Sequence, residues 1–331
     1  MIATRDQVLS LLRQRGEFVS GEEISSRIGV TRAAVSVAVK ALREDGYEIQ
    51  SVTNKGYRLV AGPDRLSMGE LLPYLPAEQV GRVTVLDRVD STNLYLKRLC
   101  AAGEALPGDC AIANCQTSGR GRMGRSFVSA ENVGIYLSYV FDPKDCGAAE
   151  LSEVTAWIAV AMRAAIEESC GIDCGIKWVN DLVMHRKKLC GILTEMSLEG
   201  ESGRIQSVIM GIGVNVNNDA ADFAPALSDI ATSLKIESGA VQNRARLAAA
   251  MVRHLDQLQA DFPHHRAAYL DAYRQHCAML GQPVLLARGD TVRRGTALDI
   301  DDHFGLIVRW DTGETETVTG GEVSVKGFYG V

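Results

Sequence analysis

The chain has 331 residues, 46% of them apolar and 23% charged, a composition that fits a soluble globular protein and is long enough for two or three domains. Its net charge of −6 argues against a protein that coats nucleic acid without specificity. No run approaches the roughly 18–20 apolar residues of a membrane span, and the opening MIATRDQVLS lacks a signal-peptide core, so a cytoplasmic protein with no membrane partner is expected.

Residues 1–62 hold nine Lys or Arg against seven Asp or Glu, about +2, which leaves −8 for the remainder. In DQVLSLLRQRG, Val8, Leu11 and Leu12 recur at helical spacing and Gly16 is a stop. In FVSGEEISSRIG, Ser20 with Glu23 three residues on predicts a capping box, and Gly29 closes the second helix. TRAAVSVAVKALREDG predicts a third helix with Thr31 as N-cap and Val35, Val39 and Leu42 facing inward. YEIQSV and YRLV alternate around Thr53-Asn54-Lys55-Gly56, a hairpin turn. Three short helices and a hairpin predict a winged helix-turn-helix over 1–62, whose third helix enters the major groove of DNA. Thr31, Arg32, Ser36, Lys40 and Arg43 on that helix, and Lys55 and Arg58 on the wing, are the candidate DNA contacts. The alternative is a small helical domain that binds protein. The exposed face of the third helix reads Ser36-Val37-Ala38, which offers few hydrogen bonds, so it reads base edges poorly or through contacts to thymine methyls. AGPDR at 61–65 predicts a linker.

The central segment, 66–278, predicts an α+β domain. RVTVLDRV is a strand that runs into Asp90-Ser91-Thr92-Asn93, and NLYLKRLCAAG is a helix ending at Gly103. On local grounds Ser91 or Thr92 is simply the helix N-cap. CAIANCQ is a strand delivering Gln116 to GRGRMGR at 119–125. The spacing Gly119-x-Gly121-x-x-Gly124 fits a dinucleotide-binding fingerprint, but that fingerprint opens a helix, and here SFVSAENVG leads into the strand IYLSYVF. A long helix, LSEVTAWIAVAMRAAIEESCG, follows, and then GIKWVNDLVM, KLCGILTEMSLE and QSVIMGIGVNVN, whose short connections predict antiparallel pairing. The arginine loop with Lys177 and Lys188 makes a cation-rich site. Such a site suits two anions that must approach each other, as when a carboxylate attacks a nucleotide phosphate.

RARLAAAMVRHLDQLQADF and HRAAYLDAYRQHC predict two helices, and 279–331 predicts short strands of SH3-like barrel size, with the Gly320-Gly321-Glu322 turn as its point of interest. The eight cysteines, at 100, 110, 115, 146, 170, 174, 190 and 277, form no CxxC pair and are expected to be reduced and buried, with no metal site. No Ser/His/Asp or Cys/His arrangement is evident, and His185, His254, His264, His265, His276 and His303 are expected to be structural or at the surface.

SGEEISSRIGVTRAAV, DSTN, QTSGRGRMGRSF, KWVNDL, RKKLCGILTE and GIGVNVN, in this order, resemble the biotin–protein ligase family over nearly the whole chain. More closely they resemble its bifunctional class, in which a winged helix-turn-helix makes the ligase also the biotin-operon repressor. The resemblance implies a class II synthetase-like catalytic domain and a C-terminal domain that helps with ATP and carrier binding. It implies that biotin and ATP give biotinyl-5′-adenylate, with Mg²⁺, and that biotin then passes to a lysine of the biotin carboxyl carrier protein of acetyl-CoA carboxylase. By the same resemblance, Ser91, Thr92, Asn93 and Gln116 hold biotin, and Arg120, Gly121 and Arg122 lie on a mobile loop. Lys188 meets the biotin carboxylate and the phosphate, and Arg122 and Lys188 carry the catalysis. Lys177, Asn180 and Asp181 serve the nucleotide end, and Gly191, Gly213 and Asn215 line the pocket. Operator DNA is the second implied partner, bound by a homodimer of the adenylate-loaded protein. The chain departs from the family at Val179, where proline is usual, at Met123, where a basic residue is common, and at Phe127, where tryptophan is frequent; the thinned recognition helix is the larger departure. Rival readings are a lipoate-type ligase, a ligand-sensing transcription factor without ligase activity, and a ligase whose N-terminal domain no longer reads DNA.

Overall fold

The computed structural model describes residues 2–143, 146–198, 205–288, 291–319 and 322–325. Its N-terminal unit has helices α1 (Thr4–Arg15), α2 (Gly21–Ile28) and α3 (Arg32–Glu44), then a hairpin of β1 (Glu48–Val52) and β2 (Gly56–Ala61). Ser20 and Thr31 cap α2 and α3 by accepting from the Glu23 and Ala34 amides. The reciprocal arm of the expected capping box is replaced, because the Glu23 carboxylate pairs with Arg15 and Arg27 instead. Val8, Leu12, Ile24, Val35, Val39 and Leu42 form this unit's own core. Tyr57 exchanges both backbone hydrogen bonds with Val19, which adds a third short strand to the wing. Gly56, at φ +98°, makes that contact possible: a Cβ there would lie 2.0 Å from the Val19 carbonyl oxygen.

Two short helices, α4 (Met68–Leu71) and α5 (Ala77–Val80), lead into the central unit. There follow β3 (Val83–Leu86), α6 (Thr92–Ala102), β4 (Cys110–Ala113), β5 (Gly134–Phe141), α7 (Ala148–Cys170), β6 (Gly175–Lys177), β7 (Asp181–Met184), β8 (Lys187–Leu198) and β9 (Ile205–Asn215). The seven strands form one sheet in the order β3-β4-β5-β9-β8-β7-β6; only β3 and β4 run parallel, so the sheet is largely antiparallel, as expected. After α8 (Leu234–Ser238), α9 (Arg244–Asp261) and α10 (Arg266–His276) are the two helices read from the tail. β5 alternates between two faces: Ile135, Leu137, Tyr139 and Phe141 join the main core with α7 and α9, while Val140 packs with Leu96 of α6.

The C-terminal unit is an antiparallel sheet of β10 (Pro283–Arg288), β11 (Thr291–Ile300), β12 (Leu306–Trp310), β13 (Thr315–Val318) and β14 (Glu322–Val325) in the order β13-β12-β11-β10-β14. β13 and β14 sit at opposite edges, which would lie about 19 Å apart in a flat sheet. The three residues between them reach at most about 14 Å. The sheet therefore curls toward a barrel. Gly320 and Gly321 lie outside the described residues. Trp178 of the central unit donates its indole N–H to the Phe304 carbonyl at 2.8 Å and so ties the two units together. The cysteines are free; five are buried, and Cys100, Cys146 and Cys170 are only partly so.

Segment 61–65 is not a loose linker. Arg13 of α1 makes a bidentate pair with the buried Glu70 of α4, its Nε donating at 2.9 Å. Arg65 pairs with Asp87. The Asn114 amide grips the Leu66 backbone, accepting from its N–H and donating to its carbonyl, both at 2.8 Å. Arg244, with a fully buried side chain, donates to the Asp64 carboxylate and carbonyl and to the Asn132 carbonyl, each at 3.0 Å, and to the Gly134 carbonyl at 3.0 and 2.8 Å. Truncating it would strand several of these acceptors in a dry site. Arg244→Ala is expected to lower stability by about 3 kcal/mol, read as a shift in urea midpoint. A change under a third of that would show that water replaces the guanidinium at little cost.

Candidate functional site

A pocket opens above the β8–β9 pair, and five of the motifs marked in the sequence meet there: Ser91-Thr92-Asn93, Gln116 with the arginine loop, Asn180, Lys188 with Gly191, and Gly211 with Gly213. Its floor is glycine. Gly191 and Gly213 are cross-strand partners, and Gly211 lies two residues back on the same face. A Cβ at Gly213 would stand 2.6 Å from the Phe127 ring, and one at Gly211 would stand 2.3 Å from Asn93 Oδ1. Only glycine lets these side chains close over the sheet.

One wall is a polar chain. Ser91 occupies the N-cap position of α6 but makes no capping bond with its side chain, so the simple cap reading fails and the residue lines the pocket. Gln116 Oε1 accepts from the Thr92 amide at 2.9 Å and from its hydroxyl at 3.2 Å, and Gln116 Nε2 donates to Ser129 Oγ at 2.8 Å. Ser138 Oγ lies 2.7 Å from Thr92 Oγ1 and 2.5 Å from Asn93 Oδ1; with one proton it donates to one of them at a time. Asn93 Nδ2 donates to Glu195 at 2.8 Å. The Asn93 amide is thus held at both ends by the protein.

Glu195, in the quoted motif RKKLCGILTE but not picked out as a site residue, ties the Asn93 end of the site together. Besides Asn93 it meets Lys97 Nζ at 3.1 Å and Arg120 Nη1 at 3.4 Å. Burial pushes its carboxyl pKa upward, but the Asn93 and Lys97 hydrogen bonds and the charges of Lys97 and Arg120 outweigh this and hold it below the usual glutamate range. Charge at the opposite end is linked as well. Arg122 Nη1 donates to Asn180 Oδ1 at 2.8 Å, Asn180 Nδ2 donates to Asp181 Oδ1 at 3.1 Å, and Lys188 Nζ pairs with Asp181 Oδ1 at 2.7 Å.

The arginine loop opens no long helix. It makes a three-residue 3-10 turn, Arg122–Gly124, inside a small hairpin where Arg120 bridges to Ser126. The Gly121, Arg125 and Phe127 amides bond within the loop, to Arg125, Arg122 and Gly119 carbonyls. In this conformation those donors are not offered to an anion, and the arginine side chains carry the loop's positive field. Lys177 is buried and pairs in register with Asp181, and it does not line the pocket. Asn215 is also buried; its amide donates to the Thr232 carbonyl at 3.0 Å and fixes the segment beside Lys188. The Trp178–Val179 peptide at the departure from the usual proline is cis.

On the N-terminal unit, Arg32, Ser36, Lys40 and Lys55 are exposed. Ala38 is 5% exposed and faces inward, so the outward face of α3 is not Ser36-Val37-Ala38. Arg43 folds back to the Ile49 carbonyl and Ser51, and Arg58 lies over the Phe18 ring while bonding Gln50. Thr31 serves as the cap of α3.

A glycine-floored pocket with cations at its mouth, on a mixed sheet fused to a helix-turn-helix unit, defines a ligase core joined to a DNA-binding module. Residues 85–215 match the biotin/lipoate A/B protein ligase family, residues 4–58 an HTH domain and residues 279–326 the biotin protein ligase C-terminal domain. The chain is 35% identical over 311 residues to the bifunctional ligase/repressor BirA of Bacillus subtilis, covering 93% of this chain and 95% of that one. It is 31% identical over 319 residues to the bifunctional ligase/repressor BirA of Escherichia coli, covering 96% of each. A biotin protein ligase from Aquifex aeolicus, solved in complex with biotin and ATP, superposes with a TM-score of 0.62 at 26% identity, covering 74% of this chain and 98% of that one. The chain belongs to the biotin–protein ligase family, in its bifunctional ligase/repressor class.

Because the Glu195 pKa is depressed on folding, its contribution to stability is present above the ordinary glutamate value, about 4.3, and is lost as pH falls through the lower folded value. The stability gap between wild type and Glu195→Gln is therefore expected to be constant at neutral pH and to shrink below about pH 4.3, as denaturant titrations across that range would read. A gap that widens in acid would reverse the assignment.

Proposed function

We propose that the protein ligates biotin to a carrier protein and represses transcription in response to biotin. The observation that carries the ligase reading is the pair of cations, Arg122 and Lys188, at the mouth of the glycine-floored pocket. A carboxylate oxygen of biotin attacks the α-phosphorus of ATP and pyrophosphate leaves, giving biotinyl-5′-adenylate. Two anions must meet for this, and Arg122 and Lys188 offset their repulsion and the charge that develops on the phosphate. A carrier lysine amine then attacks the acyl carbon and AMP leaves. The nucleophile comes from the biotin carboxyl carrier protein of acetyl-CoA carboxylase, so the enzyme needs none of its own.

Ser91, Thr92, Asn93, Gln116 and Gly191 form the biotin end, with Arg120 and Gly121 of the loop closing over it to exclude water. Asn93 acts by orienting its neighbours, since its own amide is engaged. Asn180, Asp181 and Gly213 form the nucleotide end; Lys177 and Asn215 support it from behind. Asp181 and Asn180 are oxygen donors that suit Mg²⁺ carried in on the ATP phosphates, where the ion would neutralise phosphate charge. Residues 1–62 form the operator-binding domain, 66–278 the catalytic domain and 279–331 the third domain. A homodimer, favoured by adenylate, would bring two wings to one operator. The reactants and the free thiols suit the cytoplasm, and among the described residues no helix is long and apolar enough to cross a membrane.

Relatives named biotin–[acetyl-CoA-carboxylase] ligase, at 29% and 30% identity, favour biotin over lipoate. Arg122 and Lys188 both line the pocket, which disfavours a sensor that has lost its chemistry. Labelled biotin is expected to pass to a carrier domain with ATP and Mg²⁺, while lipoate offered beside it is not. Neither product would favour the pure sensor. Arg122→Ala should release adenylate faster, on the order of 100-fold for loss of one such charge contact, with ligand-free DNA affinity as the control for folding. Sedimentation should show a dimer with biotin and ATP; a monomer at high concentration with both present would sink the dimer.

A further inference from the structure

We propose that α3 reads its DNA site through thymine methyl groups, with Val37 as the side chain that reads them; this rests on residues 1–62 being a DNA-binding unit. Residues 35, 38, 39 and 42 face the domain core. Their complement, Arg32, Ala33, Ser36, Val37 and Lys40, falls on one outward stripe at i, i+1, i+4, i+5 and i+8. Val37 stands at its centre and is 68% exposed, the equal highest among the large apolar side chains described as exposed after Met123 and Val241. Ala33 lies one turn before it, so two methyl-bearing residues are neighbours along the stripe.

The stripe has few directional groups. It holds no Asn or Gln, the side chains that pair with adenine. Arg32 stands at its first turn, and Lys40 beyond Val37 is 3.9 Å from Glu44. Arg43, which could have reached a guanine, is drawn back onto the wing by the Ile49 carbonyl and Ser51. Ser36 is the one hydroxyl. The cations therefore flank an apolar centre: Arg32 and Lys40 on the helix, with Lys55 at the wing tip. A duplex has the complementary pattern, phosphates outside and, of the four bases, only thymine presenting a methyl in the major groove. Directional readout is weak on this face and apolar readout is strong.

The test uses the full chain with biotin and ATP to enrich binders from a random duplex library. Each thymine of the enriched sequence is then replaced singly by deoxyuridine, which removes only the 5-methyl group. Wild type is expected to lose about fourfold in affinity at one or two thymines per half-site, the worth of one buried CH₂. Val37→Ala should bind more weakly and be indifferent to deoxyuridine at those thymines, whereas Val37→Ile should keep the sensitivity. Arg32→Ala should weaken all sequences alike and flatten the salt dependence. An unchanged deoxyuridine profile in Val37→Ala, with circular dichroism showing a folded protein, would overturn the proposal. Failure of any sequence to enrich would overturn the DNA-binding reading beneath it.

Discussion

The guanidinium of Arg244 is buried without solvent contact, and its partners come from three separate stretches of chain, at Asp64, at Asn114 and at Asn132 with Gly134. Desolvation lowers its pKa, with the Asp64 charge opposing that shift. A buried cation is tolerated only when its donors are satisfied. Here satisfaction requires the segment leaving the wing, the turn at Asn132 and the first residue of β5 to converge on the start of α9. Asn114 joins the same cluster and holds Leu66 by both backbone groups. Two residues after Asn114, Gln116 grips Thr92 in the pocket. The path from the wing to the pocket is thus hydrogen-bonded up to Asn114 and then two residues of chain to Gln116, not a flexible tether.

The pocket shows a second constraint, of space. Antiparallel strands normally present side chains on both faces, and a filled face would leave no room for a ligand. Glycine at 191, 211 and 213 clears one patch of β8 and β9, while Ile192, Ile212 and Val214 on the opposite face keep the sheet anchored to α7 and α9. Between them the two strands lose side-chain packing at three positions and keep it at three. Phe127 rests on the cleared patch and meets Tyr136 edge-on at 6.3 Å between centroids. The aromatic after the arginine loop therefore reports loop position directly to the floor.

Much of this was legible in the sequence because it is local. Caps at Ser20 and Thr31, stops at Gly16 and Gly29, and period-2 alternation in β5 and β9 each involve residues within a few positions of one another. The motifs located the pocket because they mark where the chain turns toward it. The misses are long-range. Glu195 acquires its role only by meeting Asn93, 102 residues away in sequence, and Arg244 meets Asp64 at a separation of 180. The GIG repeat at 211–213 held a signal that could have added Gly211, since residues two apart in a strand share a face. Ala38 was misplaced because three consecutive residues cannot all lie on one helical face. Lys177 and Asn215 sit in the right motifs, but their side chains are committed to the interior, which residue type alone does not reveal.

Each cation that lines the pocket faces an oxygen of the protein: Arg120 faces Glu195, Lys188 faces Asp181, and Arg122 faces Asn180. A cluster of unpaired cations would repel itself and strain the loop that carries it. Pairing removes that penalty and fixes each group near where it is needed. On the proposed roles, the carboxylate and phosphate of the ligands are themselves anionic, so they would replace Glu195 and Asp181 as partners with little net change in charge contact. Binding would then exchange one set of ion pairs for another, and the loop, whose Gly121, Arg125 and Phe127 amides bond within it, would rearrange without first exposing bare charge. Under that proposal Glu195 and Asp181 are placeholders: they hold Arg120 and Lys188 in position for two anions that would otherwise have to be brought together against their own repulsion.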